Sequence, residues 1–481
     1  MSVAEPAVGF TRAARAPGAA SKVFGLAGTA GLAAMVLLAT RAGQEATTLA
    51  LLIALPLLAV VVARPQVGVL IIMANYLIAS YPTPLAGAGL LTVNNVLGVL
   101  LAVLMIAQLA QRPDLGFLRL RQLHIYVAIG VVLVVGTIVS HYQFPDLRVT
   151  WGKKRMLDQT APLAREFVTR LAYLVLAVKF LTSRRDLKHA IVVVMGILFL
   201  VVPSALLAYA GGAAEGGRAA AEFSIGTNAN RLAFLCLMQA ALWWYLAQTL
   251  SAAKRTLAYG VVATLVLTTF LTASRSGVLG FAVLLALLAR GRPGARGGRL
   301  QVLLLAVIAA GMLATVVPEQ TVERLQNLNP FATRRSHEIG AYSTERRVAT
   351  VELGWRIFGD YPLFGVGLGN FREVARQVYV DPYYRSPHNS FLWSLSEGGI
   401  FCCLLFLLLF YVTWRDIRWV QRAPALPADL RWLALGLEPV LLLMLFYSAF
   451  ADMWLSPVTY ILVILVILLK RHVSTRRVVV V

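Results

Sequence analysis

Apolar stretches of helix-crossing length recur along almost the whole chain. This constrains the fold more than anything else, because an α-helix needs about 20 apolar residues to cross about 30 Å of hydrocarbon. Of the 481 residues, 59% are hydrophobic and only 14% charged. Soluble domains carry about 25% charged residues, so the bulk of this chain belongs in lipid. The pattern predicts helices at 22–40, 46–63, 66–80, 90–110, 124–140, 166–181, 190–210, 231–249, 257–272, 276–290, 300–317, 389–413, 433–452 and 456–470. The expected fold class is therefore an all-α polytopic membrane protein. It has fourteen spans, or twelve if the close pairs 46–63/66–80 and 433–452/456–470 each count once. The expected organisation is an N-terminal tail (1–21), a bundle of about eleven spans (22–317), a long polar loop (318–388), C-terminal spans (389–470) and a short tail (471–481).

The first apolar run is not followed by a small-residue cleavage site, so 23–40 reads as a retained span rather than a signal peptide. Cys236, Cys402 and Cys403 all fall in apolar runs and imply packing, not a disulfide framework. A net charge of +22 would suggest nucleic acid in a soluble protein. Here the basic residues sit in loops beside spans, which positive-inside bias and anionic headgroups explain; nucleic acid is not an expected partner, whereas membrane lipids are.

Orientation follows from the short basic loops. Arg112, Arg119 and Arg121 share a side with Arg184, Arg185 and Lys188, with Lys254 and Arg255, with the turn 290–296, and with Lys470, Arg471, Arg476 and Arg477. With an even span count, this face and both termini are cytoplasmic. The opposite face, expected to be poor in cations, is rich in arginine, including Arg231, Arg275, Arg346, Arg347, Arg372 and Arg376. Either long loops escape the charge bias, or this face handles an anion, for which arginine's planar fork is suited.

The loop 318–388 is far longer than a turn between spans requires, which points to function. Val348, Val351, Trp355 and Phe358 recur at helical spacing, predicting an amphipathic helix capped by Ser343 or Thr344 and ended by Asp360-Tyr361-Pro362. A Gly-rich turn (Gly365, Gly367, Gly369) follows, then a second short helix over 371–380 with Val374 and Val378 on one side. No strand precedes the glycines, so they are no dinucleotide fingerprint. Their amides are either a plain turn or a phosphate contact.

Four positions could carry chemistry. His388 closes the loop, before Asn389, at the mouth of a span; it is either a structural hydrogen-bonder or a proton acceptor, since imidazoles exchange protons near neutrality. Arg275 lies between two spans with almost no loop, where it either snorkels or faces a polar cavity. Arg346 and Arg347 are either a solvated pair or an anion contact. The run 226–231, ending in Arg231, is either a helix cap or a further cation on the same face. There is no Asp-x-Asp pair, P-loop, His-Glu-x-x-His or Cys/His cluster. The chemistry is expected to need no metal and no cofactor.

Taken together, Thr272-Ala273-Ser274-Arg275-Ser276-Gly277, Arg347 before Tyr361-Pro362-Leu363-Phe364-Gly365-Val366-Gly367-Leu368-Gly369-Asn370-Phe371, and His388-Asn389-Ser390 with Glu397-Gly398-Gly399 resemble the O-antigen ligase and polymerase superfamily. The resemblance covers about 225–410. It implies a glycosyltransferase of GT-C type in the bacterial inner membrane, taking a glycan from undecaprenyl diphosphate on the periplasmic side by an inverting displacement. Arg275 and Arg347 would bind the diphosphate and His388 would activate the acceptor hydroxyl, with Arg231, Arg346 and Asn389 as substrate contacts. Arg346 beside Arg347 leaves the second arginine ambiguous by one position. A ligase would use lipid A-core as acceptor; a polymerase, a second lipid-linked repeat. A flippase or transporter would instead concentrate ionisable groups at mid-membrane, often with repeat symmetry.

Overall fold

The computed structural model describes residues 56–78, 92–144, 157–212, 219–220, 228–290, 298–315, 341–381 and 387–479. The expected span at 22–40 and most of that at 46–63 lie outside the described residues. What is described is helical, with no β-strand. The helices are α1 (Pro56–Ala63), α2 (Pro65–Ile78), α3 (Val93–Gln111), α4 (Arg121–Gln143), α5 (Leu157–Phe180), α6 (Arg184–Gly196), α7 (Leu198–Ala210), α8 (Ala229–Ala247), α9 (Ala252–Leu271) and α10 (Arg275–Ala289). After them come α11 (Gly298–Thr315), α12 (Ala341–Asp360), α13 (Phe371–Gln377), α14 (Ser390–Arg422), α15 (Arg431–Tyr447) and α16 (Pro457–Val479). Six spans among the described residues are long and apolar enough to cross a membrane, or seven if α1 and α2, bent by 118°, form one broken span. The chain is an all-α, multi-pass membrane protein. Pro65 opens α2, where its missing N–H costs nothing.

Burial separates central from lipid-facing helices. In α16, 72% of the spanning window is buried, and Tyr460 through Leu469 form an unbroken buried run. A helix apolar all round belongs at the centre of a bundle. In α3 only 11% is buried, and Val99, Val103 and Ile106 project outward into what a bilayer would fill with tails. α8 is the second core helix, packed between α9, α10 and α15, with Phe234 against Tyr447 at 5.0 Å.

The bundle has two chemically different ends. At one, Lys179 pairs with Asp114, Arg184 and Lys188 pair with Asp429, and Arg471 donates to the Val178 carbonyl. This brings together the loop before α4, the start of α6, the loop between α14 and α15, and the last part of α16. Three of these segments carry the 112–121, 184–188 and 470–477 basic clusters expected on one side. Slightly inside, Lys470 meets Asp416 at 2.9 Å and Gln122 donates to the same carboxylate at 2.8 Å, tying α4, α14 and α16 together. The other end carries the start of α14, the end of α15 and the loop helices. The three cysteines are buried and free.

The Asp416 carboxylate is only 6% exposed, so Lys470→Met leaves a buried charge with one neutral donor. Removing one partner of a buried pair costs about 3–5 kcal/mol. Thermal unfolding of the detergent-solubilised protein should show a clear drop in Tm for Lys470→Met, and Asp416→Asn in the same chain should recover most of it. Additive losses in the double variant would contradict the coupling.

Candidate functional site

The non-basic end is organised around the first turn of α14. Asn389 is its N-cap, its side-chain oxygen accepting from Leu392 N at 3.0 Å. That oxygen is therefore engaged by the helix, whereas the sequence resemblance implied a substrate contact for Asn389. Ser390 donates its amide to the Ser448 carbonyl (2.6 Å) and its hydroxyl to the Ala451 carbonyl (2.7 Å), and accepts from Met453 N (2.7 Å). These three bonds fasten the start of α14 to the connector between α15 and α16. From the far side, Arg170 of α5 donates to the Leu455 carbonyl while paired with Glu166 at 2.8 Å.

Held against that connector, His388 meets Asp452. Its Nδ1 lies 3.3 Å from Asp452 Oδ2; the imidazole is 43% exposed and the carboxylate 15%. His388 has φ +49°, a left-handed conformation uncommon for a side-chain-bearing residue and found often where geometry serves a site. An imidazole that donates Nδ1–H to a carboxylate keeps the lone pair of its other nitrogen. Sequence reading missed Asp452. The available signal was a lone carboxylate between two apolar runs, which membrane burial makes expensive.

The Gly-rich turn has a different task from the phosphate contact left open by the sequence. Residues 365–371 are all buried, and every amide among them has a protein acceptor. Gly365 N donates to Tyr361 O, Val366 N to Ser396 O, Gly367 N to Glu397 O and Asn370 N to Gly367 O. Leu368 N reaches Thr137 Oγ1, Gly369 N reaches Glu397 Oε2 at 2.9 Å, and Phe371 N reaches Glu397 Oε1 at 3.2 Å. No amide is left for a ligand. The partner surface is itself special: α14 breaks at Gly399 (φ 68°), where an added Cβ would overlap the Leu363 carbonyl.

This clamp sets the register of α12, which begins at Ala341, ahead of the expected Ser343 or Thr344 cap. Gly354 lies against Leu392, and Pro362 O accepts from Ile400 N at 2.8 Å, an offset of 38 residues each time. The two helices run parallel. Arg347 lies in the second turn of α12, before the part of that helix that packs on α14. Arg347 is exposed; the side chain of Arg346 lies outside the described residues. α12 buries Leu353 and Ile357 while Val348 and Trp355 face outward. α13 ends at Gln377, short of the expected 380; Phe371, Val374 and Ala375 pack inward, while Val378, expected beside Val374, is exposed. Tyr379 donates to Asp360; burial first, and then that carboxylate, push its phenol above the ordinary range.

Arg275 is the first residue of α10, after a sharp reversal at Ala273 (φ 47°). The N-cap Ser274 accepts from Gly277 N and bonds the Asn230 side chain at 2.8 Å. This bond joins the start of α10 to the start of α8, where Asn228 caps the helix and Arg231 is exposed. The cap reading of 226–231 holds for Asn228, with Arg231 beside it. A half-buried arginine on a helix N-terminus adds its charge to the positive end of the helix dipole, a combination that attracts anions. Gly280, one turn and a half along α10, abuts Tyr447 at the end of α15, next to Ser448, which bonds Ser390. Arg231, Arg275, Arg347 and His388 thus stand at one end of the bundle.

Residues 259–407 match the family model described as O-Antigen ligase. The match spans α10, α12, the Gly-rich turn and the first half of α14, and it supports the O-antigen ligase/polymerase superfamily with a glycosyltransferase-like activity in a membrane setting. Asp452 lies beyond it. No curated protein matches the chain.

Glu397→Ala removes the acceptor of two buried amides, each worth about 1–3 kcal/mol when left unsatisfied. Lower Tm and faster proteolysis around 361–371 are expected. Glu397→Gln, which can still serve one amide, should fall between. Wild-type protection in Glu397→Ala would remove the clamp from the account.

Proposed function

We propose that this protein is an O-antigen ligase-type glycosyltransferase that moves a glycan from undecaprenyl diphosphate to an acceptor hydroxyl at the periplasmic face of the inner membrane. The observation that carries the reading is the His388–Asp452 pair, 3.3 Å apart at the same end of the bundle as Arg275 and Arg347. The acceptor hydroxyl attacks the anomeric carbon, a new C–O bond forms, and the bond to the lipid diphosphate breaks with inversion. His388 Nε2 takes the hydroxyl proton as the nucleophile develops. Asp452 holds the imidazole in the required tautomer and offsets the charge it gains.

Negative charge accumulates meanwhile on the leaving diphosphate. Arg275 on its helix N-terminus and Arg347 on α12 supply fixed positive charge there, with Arg231 beside Arg275. In a partly dry rim such preorganised charge is worth far more than in water. The basic loops at the opposite end support a cytoplasmic assignment for that face and for both termini. The preferred acceptor is lipid A-core. The same geometry serves a polymerase, in which a second lipid-linked repeat would supply the hydroxyl.

With purified protein, a labelled lipid-diphosphate glycan and an acceptor, Arg275→Ala and His388→Ala should each abolish transfer while expression and Tm stay normal. Losses of about 100-fold or more are expected for such groups. Near-wild-type transfer in either variant removes that residue from the mechanism. Asp452→Asn should lower kcat more than it raises KM and alter the pH profile of kcat; a profile of unchanged shape would reduce Asp452 to a scaffold role. In cells lacking the protein, long unattached lipid-linked chains identify a ligase, and single repeats a polymerase.

A further inference from the structure

The exposed face of α14 changes character along its length. Phe401, Leu404, Leu408 and Tyr411 recur at steps of three and four residues and project outward from the bundle. The same stripe continues as Arg415, Arg418 and Arg422. Phe401 to Tyr411 rises about 15 Å, which is half of a bilayer's apolar thickness and so the depth of one leaflet. The stripe therefore turns cationic where tails give way to headgroups. At that level Trp414, Arg415, Arg418, Trp419 and Arg422 line a groove of about 270 Å³.

The groove is built rather than incidental. From α15, Glu438 holds Arg418 Nη1 at 3.3 Å and accepts from Trp414 Nε1 at 3.3 Å, while Gln421 donates to its other oxygen at 2.9 Å. Lys470 stands 5.8 Å from the Trp419 ring and neutralises Asp416 beneath it. Three guanidiniums against one facing carboxylate leave the groove positive. Tryptophan and arginine together suit a zone that is apolar on one side and anionic on the other.

We propose that this groove binds the phosphate of an anionic diacyl phospholipid whose tails lie along Phe401–Tyr411, at the end of the bundle opposite His388. Charge complementarity and the continuity of the apolar stripe with the arginines argue for a lipid over a soluble anion, which would have no use for the stripe. The proposal does not depend on the transferase reading.

Native mass spectrometry of the full-length protein, released from micelles holding equal phosphatidylglycerol and phosphatidylcholine of the same chain length, tests it. The wild type should retain phosphatidylglycerol in preference by about five-fold or more, and Arg415→Gln/Arg422→Gln should bring the two near parity with unchanged Tm. Arg418 is left intact because Glu438 depends on it. A preference that survives the double substitution overturns the proposal. So does complete displacement of the lipid by millimolar glycerol phosphate, which would make the groove a soluble phosphate site. A substitution that changes only the oligomeric mass, and not lipid retention, would make it a contact between two copies of the chain, and likewise overturns it.

Discussion

Backbone polar groups cannot be left bare inside a membrane protein, and the stretch from Gly365 to Phe371 meets that requirement at its most demanding. Seven consecutive buried amides, outside any helix ladder, find acceptors on α4, on α14 and within the turn itself. Glu397 supplies three of those acceptors, two from its carboxylate and one from its carbonyl. Non-helical chain is tolerated at such depth only where protein encloses it. Here the enclosure is complete because α14 breaks at Gly399, exposing carbonyls that a continuous helix would have kept for itself.

The catalytic proposal inherits its geometry from that arrangement. With the turn locked to α14, α12 has one register along the neighbouring helix. A second set of bonds, centred on Ser390 and Arg170, fixes the connector that carries Asp452. A third, through Ser274 and Asn230, joins the starts of α8 and α10. Each is a short polar link between helix ends, and together they fix the helix starts and the connector at the end of the bundle that carries the His388–Asp452 pair. The other end of the bundle uses its charge differently, in ion pairs that tie loops together and in the groove lined by Trp414, Arg415, Arg418, Trp419 and Arg422.

Much of this was legible in the sequence because its signals are local. Apolar periodicity located most of the described bundle helices, although it read α6 and α7 as the single stretch 190–210. The spacing of Val348, Val351, Trp355 and Phe358 located α12, and the absence of a loop around Arg275 marked it as unusual. What escaped depends on partners far apart in the chain. Asp452 is 64 residues from His388, with nothing in its neighbourhood to announce a partner. The glycines announced a turn but not the fate of their amides, because Glu397 lies 28 residues from Gly369, inside an apolar span. Val378 followed helical spacing, yet α13 ends before reaching it, and the chain turns soon after, at Val380 (φ 56°).

The central claim is that the cationic rim around His388 receives a lipid diphosphate. The most direct measurement is photocrosslinking of the purified protein with a lipid diphosphate carrying a photoreactive group beside its phosphates, followed by peptide mapping. The account predicts label on the starts of α10, α12 and α14, protected by excess unlabelled lipid diphosphate. Protected label confined to the Trp414–Arg422 groove at the opposite end would contradict it.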